Sequence, residues 1–211
     1  MTCQNPTVGF YENNVLPRVI NLACGSAEIE PYRERITSGI SGEVVELGFG
    51  SGLNVPHYPA ATSCVHAIDP AELGQKLASG RLAASEIPVD FAGLDGQNLP
   101  FDDNSADAVL CTFTLCTIPD ADAALAEVRR VLKPGGTFHF VEHGRSPDIK
   151  VTRWQDRWTP VQKKLFGGCH VNRPIASIVE RAGFRIESLD NSQLKGPKSL
   201  GYIYEGVATA P

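Results

Sequence analysis

One acidic residue, Glu46, is followed by glycines at alternate positions, Gly48, Gly50 and Gly52. The residues just before it are apolar, as in a buried strand. Glycines spaced in this way allow a tight turn and a close approach of the backbone to a ligand, because no Cβ stands in the way. A helix is expected to begin at Asn54. Strand, glycine loop and helix form the first unit of a nucleotide-binding α/β sheet, whose ligand lies beyond the carboxyl ends of the strands.

The glycine spacing and the next acid narrow the choice of ligand. A dinucleotide fingerprint needs Gly-x-Gly-x-x-Gly, but Leu53 stands where its last glycine would fall. A phosphate loop needs Gly-Lys-Ser or Gly-Lys-Thr, which does not follow here. Glu46 would repel a phosphate, and it suits a cation. The second expected strand ends in Asp69, 17 residues after Gly52, where an acid would accept both hydroxyls of a ribose.

The motif of Glu46 and its glycines, followed by Asp69, resembles the class I S-adenosylmethionine-dependent methyltransferases of the ubiquinone-biosynthesis type. The run 127–136 is similar to the family's segment before the fifth strand, and the resemblance covers about residues 42–208. Where family members often carry a histidine after the fourth strand, this chain has Cys116. Three short pieces are similar to the group that includes animal thiol methyltransferases: Leu115-Cys116, Glu142-His143 and 165–169.

The resemblance implies a Rossmann-like α/β fold. We expect a seven-stranded, mostly parallel sheet with a C-terminal antiparallel hairpin and helices on both faces, in a single domain over residues 1–211. Residues 42–142 would form the cofactor-binding core, with the fourth strand over 108–115. Residues 143–211 would form an acceptor-side insertion and the closing hairpin. The N-terminal helices of residues 1–41 either cover an edge of the sheet or form a lid over the ligands, and the sequence leaves both open.

The cofactor that the resemblance implies is S-adenosyl-L-methionine, with S-adenosyl-L-homocysteine as the product. By position, Glu46 is expected near the cationic amino-acid end of this methyl donor and Asp69 on its ribose. Asp95 and the N–H of Gly96 are expected to meet the edge of the adenine. The residues expected to contact the cofactor are Glu46, Gly48, Gly50, Gly52, Asn54, Asp69, Pro70, Asp95, Gly96, Gln97 and Thr112.

Methyl transfer from a sulfonium is an in-line displacement, so the protein must mainly align the reactants and exclude water. A thiol, phenol or carbon acid would gain from a base or a cationic group that favours its anion. His143, expected at the carboxyl end of the fifth strand, is the catalytic candidate, and His170 is the second candidate. The residues expected to contact the acceptor are Tyr11, Cys116, Trp154, Trp158 and His170.

Two groups of residues allow more than one interpretation. Trp154 and Trp158 lie four residues apart on an expected helix, and either core packing or an acceptor pocket would explain them. An apolar, flat or lipid-like acceptor would fit tryptophans best. The six cysteines include no Cys-x-x-Cys pair, which favours small core residues over a disulfide framework or a zinc site, so no metal is expected.

Length and charge exclude several classes of function. A chain of 211 residues is long enough for one sizeable domain. Its net charge of −5 argues against binding to nucleic acid or to an anionic membrane. No apolar run approaches the roughly 18 residues of a membrane span, and the N-terminus has no signal-peptide pattern. We therefore expect a cytoplasmic protein without stable membrane insertion, acting on a small-molecule acceptor.

The leading hypothesis is an enzyme that methylates a small, hydrophobic acceptor through sulfur, oxygen or carbon. The alternative is a module that binds S-adenosylmethionine without turnover and serves as a sensor or partner. Leu53 and Glu46 disfavour an NAD-dependent oxidoreductase. The charge, and the lack of an Asn/Asp-Pro-Pro-Tyr-type tetrapeptide after the fourth strand, disfavour a nucleic-acid methyltransferase. The acceptor, the pathway and the oligomeric state cannot be read from the sequence.

Overall fold

A computed structural model describes residues 15–211 of the chain, apart from the side chain of Glu72. Tyr11, an expected acceptor contact, lies outside the described residues. The strands are β1 (Gly42–Leu47), β2 (Thr62–Ile68), β3 (Val89–Gly93), β4 (Ala106–Thr112), β5 (Leu132–His143), β6 (Arg185–Gln193) and β7 (Tyr202–Thr209). The helices are α1 (Leu16–Cys24), α2 (Glu30–Thr37), α3 (Glu72–Ala83), α4 (Ala121–Val131), α5 (Ile149–Leu165) and α6 (Ile175–Arg181).

The strands form one sheet in the order β3-β2-β1-β4-β5-β7-β6. β1 to β5 run parallel, and β7 pairs antiparallel with both β5 and β6. The chain winds outward from β1 to β3 and then returns to β4 on the other side of β1. The carboxyl ends of β1 and β4 therefore border a topological switch point, where such sheets bind ligands. The predicted fold is confirmed.

Different helices cover the two faces of the sheet. Val44 and Val45 are neighbours on β1, so their side chains point to opposite faces, and they belong to separate apolar clusters. Ile36 of α2 packs with Val44, whereas Leu125 of α4 and Ile175 of α6 belong to the cluster of Val45. β1 lies at the centre of the sheet and is buried on both faces, which explains its apolar sequence.

The prediction of a helix that begins at Asn54 is wrong. The glycine loop leads instead into a single turn of 3-10 helix, Val55–His57, and the backbone is extended at Tyr58, with a ψ of 129°. Tyr58 precedes Pro59, and the ring of a proline disfavours a helical conformation at the residue before it. The prediction placed the helix start correctly but missed this stop signal.

The fourth strand is shorter than predicted. β4 ends at Thr112 rather than Leu115, because Phe113 adopts a left-handed conformation with a φ of 55°. β5, in contrast, runs over Leu132–His143, longer than the predicted 137–141. The residues after Phe113 therefore form a turn at the carboxyl ends of β4 and β5, and this turn contains Cys116.

The two N-terminal helices differ in how they meet the sheet. α2 packs on β5 and β7 and buries Arg33, Ile36 and Thr37, so it covers one face of the sheet. α1 buries only Leu16, and its other large apolar side chains, such as Leu22, are exposed. Within residues 15–211, no helix is both long enough and apolar enough to cross a membrane.

Candidate functional site

The loops that follow the parallel strands meet at one edge of the sheet. Gly48 has a φ of 72°, and a Cβ there would lie 1.8 Å from Oγ1 of Thr114. Only glycine fits, because the loop after β1 is pressed against the turn after β4. Gly96, in the loop after β3, similarly lies against Leu47 and Ile118. The loop after β1 and the loop that contains Gly96 therefore meet at the carboxyl end of β1.

Asp69 holds the glycine loop in place. Its Oδ2 accepts a hydrogen bond of 2.7 Å from the N–H of Gly50, and its Oδ1 accepts one of 2.7 Å from the N–H of Ala71. The carboxylate is buried, and this burial raises its pKa above the ordinary value. Each carboxylate oxygen can accept a second hydrogen bond, so Asp69 can still take two donors from a ligand, such as the adjacent hydroxyls of a ribose.

The backbone beside Asp69 leaves room for a ligand. Gly50 has a φ of 55°, and the nearest atom to a Cβ built there would be the carbonyl oxygen of Gly48, at 3.8 Å. The flank of Gly50 is therefore open, unlike that of Gly48. An open glycine flank beside a buried carboxylate fits a nucleoside, so these residues fit the cofactor that the sequence predicts.

Glu46 is enclosed by protein donors. Its Oε1 accepts a hydrogen bond of 2.6 Å from Nδ2 of Asn54, and its Oε2 accepts one of 2.5 Å from the hydroxyl of Tyr58. Burial raises its pKa to about 7, although the hydrogen bonds from Tyr58 and Asn54 act in the opposite direction. The carboxyl group of Glu46 is therefore buried beneath the glycine loop and is partly protonated near neutral pH.

The cation that faces Glu46 is Arg33 of α2. Its Nη1 donates to Oδ1 of Asn54 at 2.6 Å and to Oγ1 of Thr112 at 3.2 Å, and its Nη2 donates to the carbonyl of Cys24 at 3.2 Å. The side chain is only 3% exposed. Burial lowers its pKa, and the charge of Glu46 is among the effects that raise it. Its Nε is buried and has no hydrogen-bond partner among residues 15–211.

Asn54 and Thr112 link this arginine to the strands. Nδ2 of Asn54 also donates to Oγ1 of Thr112 at 3.0 Å, so both polar atoms of the amide are used within the protein. The sequence analysis missed Arg33 and Tyr58. A signal for Arg33 existed, because it stands between Ile29 and Ile36 at helical spacing, where an apolar residue would otherwise face the sheet.

Glu46→Gln is expected to flatten the dependence of stability on pH. The pKa of Glu46 rises from 4.5 to about 7 on folding. The contribution of Glu46 to the free energy of unfolding is therefore fully present below pH 4.5 and is lost as the pH rises through 7. The parent's free energy of unfolding should fall over this window by up to about 3 kcal/mol from this group. Urea denaturation at intervals from pH 4.5 to 8 measures both slopes, and equal slopes would contradict the assignment.

Glu142 shapes the turn after β4. Its Oε1 accepts hydrogen bonds of 2.9 Å from the N–H groups of Thr114 and Leu115, and its Oε2 accepts one of 2.9 Å from the N–H of Cys116. The side chain is fully buried, and burial raises its pKa. These bonds satisfy backbone donors that the end of the strand leaves free, and the sequence analysis did not anticipate this role.

His143 lies beside two cysteines. Its Nδ1 is 4.0 Å from Sγ of Cys116, which is 3.7 Å from Sγ of Cys169. The hydrogen bond between the two thiols lowers the pKa of the Cys169 thiol, and the neighbouring His143 lowers it further. His170 lies at the same place, because its N–H donates to the carbonyl of Cys116 at 2.7 Å. Both cysteines are buried, as expected for small core residues, but the sequence analysis did not anticipate the imidazole beside them.

The residues expected at the adenine lie on the surface. Asp95 is exposed and accepts a hydrogen bond of 2.9 Å from the N–H of Gln97. Oε1 of Gln97 in turn accepts from the N–H of Asp120 at 2.9 Å. Pro70 is exposed next to Asp69. This loop therefore borders the glycine loop from the β3 side, with its acidic side chain turned toward solvent.

The interpretation of the two tryptophans as core residues is wrong. Trp154 is 55% exposed and Trp158 is 46% exposed. The buried face of α5 is polar instead, and its Gln155 donates from Nε2 to the carbonyls of Gly144 and Val171 at 2.9 and 2.8 Å. Because this amide must reach loop backbone, the apolar side chains of α5 lie on its outer face.

The strand order, the glycine loop and the carboxylates at the ends of β1 and β2 are typical of nucleoside-binding α/β proteins. A family described as methyltransferase domain matches residues 45–140. Thiol S-methyltransferase TMT1B of Rattus norvegicus is 35% identical over 69% of this chain and 62% of its own length. Demethylmenaquinone methyltransferase of Clavibacter sepedonicus is 34% identical over 58% of this chain and 50% of its own length.

Solved structures agree on the fold. A SAM-dependent methyltransferase from Aquifex aeolicus matches with a TM-score of 0.66 and 19% identity, over 92% of this chain and 98% of that one. The chain carries a methyltransferase domain over residues 45–140 and has the fold of S-adenosylmethionine-dependent methyltransferases. It spans 62% of the length of its thiol-methylating relative from rat, so the name of that relative does not by itself give the acceptor of this chain.

Proposed function

We propose that the protein transfers a methyl group from S-adenosylmethionine to a small, hydrophobic acceptor, and that the acceptor is a thiol. The observation that carries the first part is the buried carboxylate of Asp69, hydrogen-bonded to the N–H of Gly50 beside an open glycine flank. The thiol is supported by the name of the rat relative and by the chemistry of the side chains around His143.

Donor binding would use the ends of β1, β2 and β3. Asp69 would accept the ribose hydroxyls with its two remaining lone pairs. Glu46 would lie near the cationic amino-acid end, and the unpartnered Nε of Arg33 is a donor suited to a carboxylate. Asp95 and the N–H of Gly96 would meet the adenine. Asn54 and Thr112 would act through Arg33 and Glu46, because their polar side-chain atoms already bind these residues.

The bound donor would supply an electrophilic methyl group, and the protein would align the two reactants and exclude water. The turn of residues 113–116 is fixed by Glu142 before any ligand arrives, so no ordering of this turn is needed during the reaction. His143 would favour the anionic form of the acceptor, because a thiolate is the nucleophile and a thiol is not. Cys116 and His170 would border the acceptor, and Trp154 and Trp158 would offer it an apolar surface on α5.

Asp69→Ala is expected to weaken donor binding about 10- to 150-fold, which corresponds to roughly 1.5–3 kcal/mol for a lost charge-assisted hydrogen-bond pair. Calorimetric titration with S-adenosylmethionine measures this loss. Asp102→Ala is the matched control, because Asp102 is exposed just before the amino end of β4, whereas the glycine loop follows the carboxyl end of β1. The donor affinity of this variant should equal that of the parent.

The same titration tests the proposed function. A parent chain that does not bind the donor would overturn it. A parent that binds the donor, but forms no S-adenosylhomocysteine with a library of small thiols, phenols and quinones, would instead be a binding module without turnover. Turnover with phenols or quinones only would retain methyl transfer and exclude the thiol.

A further inference from the structure

Three potential metal ligands meet at the carboxyl ends of β4 and β5. Cys116 lies in the turn after β4, His143 is the last residue of β5, and Cys169 lies between α5 and α6. Sγ of Cys116 is 3.7 Å from Sγ of Cys169 and 4.0 Å from Nδ1 of His143. A ligand atom from each residue lies within 4.8 Å of the other two. The sequence spacing does not predict this cluster, because the three residues are far apart in the chain.

The separation of the two cysteine sulfurs is that of a tetrahedral zinc site. With Zn–S bonds of about 2.3 Å, two thiolates on one tetrahedral zinc lie about 3.8 Å apart, against 3.7 Å between the sulfurs here. The corresponding distance from a thiolate sulfur to an imidazole nitrogen is about 3.6 Å. Relative to the sulfur of Cys116, which is 4.0 Å away, the ring of His143 would need to move only a few tenths of an ångström. Two thiolates and an imidazole suit Zn²⁺ rather than Mg²⁺ or Ca²⁺.

The backbone around the cluster is held in place by other groups. Glu142 accepts the N–H of Cys116 at 2.9 Å, and the carbonyl of Cys116 accepts the N–H of His170 at 2.7 Å. The ring of His143 packs against Phe113, with the centroids 4.9 Å apart. Such outer contacts orient metal ligands in known sites. Both cysteines are buried, and His143 is half-buried.

We propose that Cys116, His143 and Cys169 bind one Zn²⁺ and leave its fourth position for the sulfur of a thiol acceptor. The second half of this proposal rests on the proposed function. Structural zinc sites have four protein ligands, whereas catalytic sites have three and an open position. Among residues 15–211, no fourth histidine, cysteine or acid joins the cluster. His143 then favours the acceptor's anion as a ligand of the metal.

The transfer balances without a further reactant. The acceptor thiol gives its proton to solvent as its sulfur binds zinc, because the metal favours the thiolate. A lone pair of that sulfur forms the new bond to the methyl carbon, while the bond from this carbon to the donor's sulfonium breaks and leaves its electron pair on the donor sulfur. The product thioether is neutral and a weaker zinc ligand than a thiolate, which favours its release.

A second group with ligand atoms provides the control. Glu43, Cys64 and His66 also lie together, but the two ring nitrogens of His66 already face carboxylates, Glu43 at 2.9 Å and Asp90 at 2.7 Å. Cys64 lies on β2, away from the carboxyl end of β5. Cys64→Ser therefore makes the same chemical change as Cys116→Ser or Cys169→Ser at a thiol outside the proposed site.

The experiment measures metal content and coordination. The full chain and the three serine variants are prepared with a phosphine reductant, equilibrated with Zn²⁺, freed of loosely bound metal and analysed by mass spectrometry for zinc. The parent and Cys64→Ser are expected to hold about one zinc per chain, and the other two at least fivefold less. With Co²⁺ in place of Zn²⁺, the parent should show thiolate charge-transfer bands and tetrahedral d–d bands, which a small thiol should shift.

Each outcome decides one part of the proposal. If the parent chain binds no zinc under reducing conditions, the zinc site is wrong. This holds even if Cys116 and Cys169 form a disulfide when the protein is kept in air. Zinc retained at full content by both serine variants also overturns the zinc site. Their donor affinity, expected within twofold of the parent, shows that they are folded. Zinc binding without methylation of any acceptor supports the metal site and contradicts the proposed function. Thiol methylation at an undiminished rate after zinc removal supports that function and overturns the role of the fourth position.

Discussion

His143→Ala is expected to lower the rate of methyl transfer by about 10²- to 10⁴-fold, the range for loss of a group that controls a reacting proton. The imidazole stands at the end of β5, next to the two thiols and against Phe113. Its loss would remove the group that we propose favours the acceptor's anion. The donor affinity should be preserved, because the expected donor contacts lie on β1, β2 and β3. Single-turnover assays for the rate and calorimetry for the affinity separate the two effects.

The pH dependence distinguishes this role from a structural one. A free thiol ionises with a pKa of about 8.5, so raising the pH from about 7 to 9 should raise the rate of His143→Ala by up to about 25-fold. A misfolded variant would not recover in this way. His66→Ala is the control, because it removes an imidazole on the β2 side of the sheet and should leave the rate unchanged. Equal turnover by His143→Ala and the parent would remove His143 from the mechanism.

Arg33→Met is expected to lower the free energy of unfolding by about 3–5 kcal/mol near pH 8, the typical cost of leaving a buried charge without its partner. The guanidinium binds Asn54, Thr112 and the carbonyl of Cys24, and it is the cation that faces Glu46. At pH 5 the loss should be smaller, because Glu46, with a pKa of about 7, is then already neutral. Urea denaturation at both pH values measures the difference.

The same helix provides the matched control. Arg35 donates to both carboxylate oxygens of Glu205, but its side chain is 55% exposed, so Arg35→Met should cost at most about 1 kcal/mol. The double variant Arg33→Met with Glu46→Gln should recover part of the stability lost in Arg33→Met, because no uncompensated carboxylate remains. Similar losses for the two single arginine variants would mean that Arg33 has no special role.

The sequence predicted those features of the fold and the site that depend on residues close together in the chain. The apolar β1, the glycines and Asp69 lie within one strand-loop-strand unit, so their pattern indicated both the fold and the nucleoside end of the site. The same reasoning failed for Arg33 and Glu142. Each of them acts across elements distant in sequence, and nothing near them along the chain signals the backbone or side-chain groups they bind.

Other differences arose where a local rule competed with a tertiary contact. The apolar run after Thr112 predicted a longer strand, but Glu142 takes up the N–H groups of the next residues and the chain turns at Phe113. Trp154 and Trp158 suggested that their face of α5 is buried. The buried face is instead that of Gln155, whose side-chain amide donates to loop carbonyls. The clustering of Cys116, His143 and Cys169 could not be predicted, because it depends on two loops meeting the end of β5.

The exposed position of Trp154 and Trp158 has a practical consequence. They are the chain's two tryptophans, and both lie on the outer face of α5, so the intrinsic fluorescence of the protein reports on this one helix. Emission from the free protein should be that of water-exposed indole. A blue shift or quenching during titration would reveal a molecule settling against α5, without a dye or an isotope.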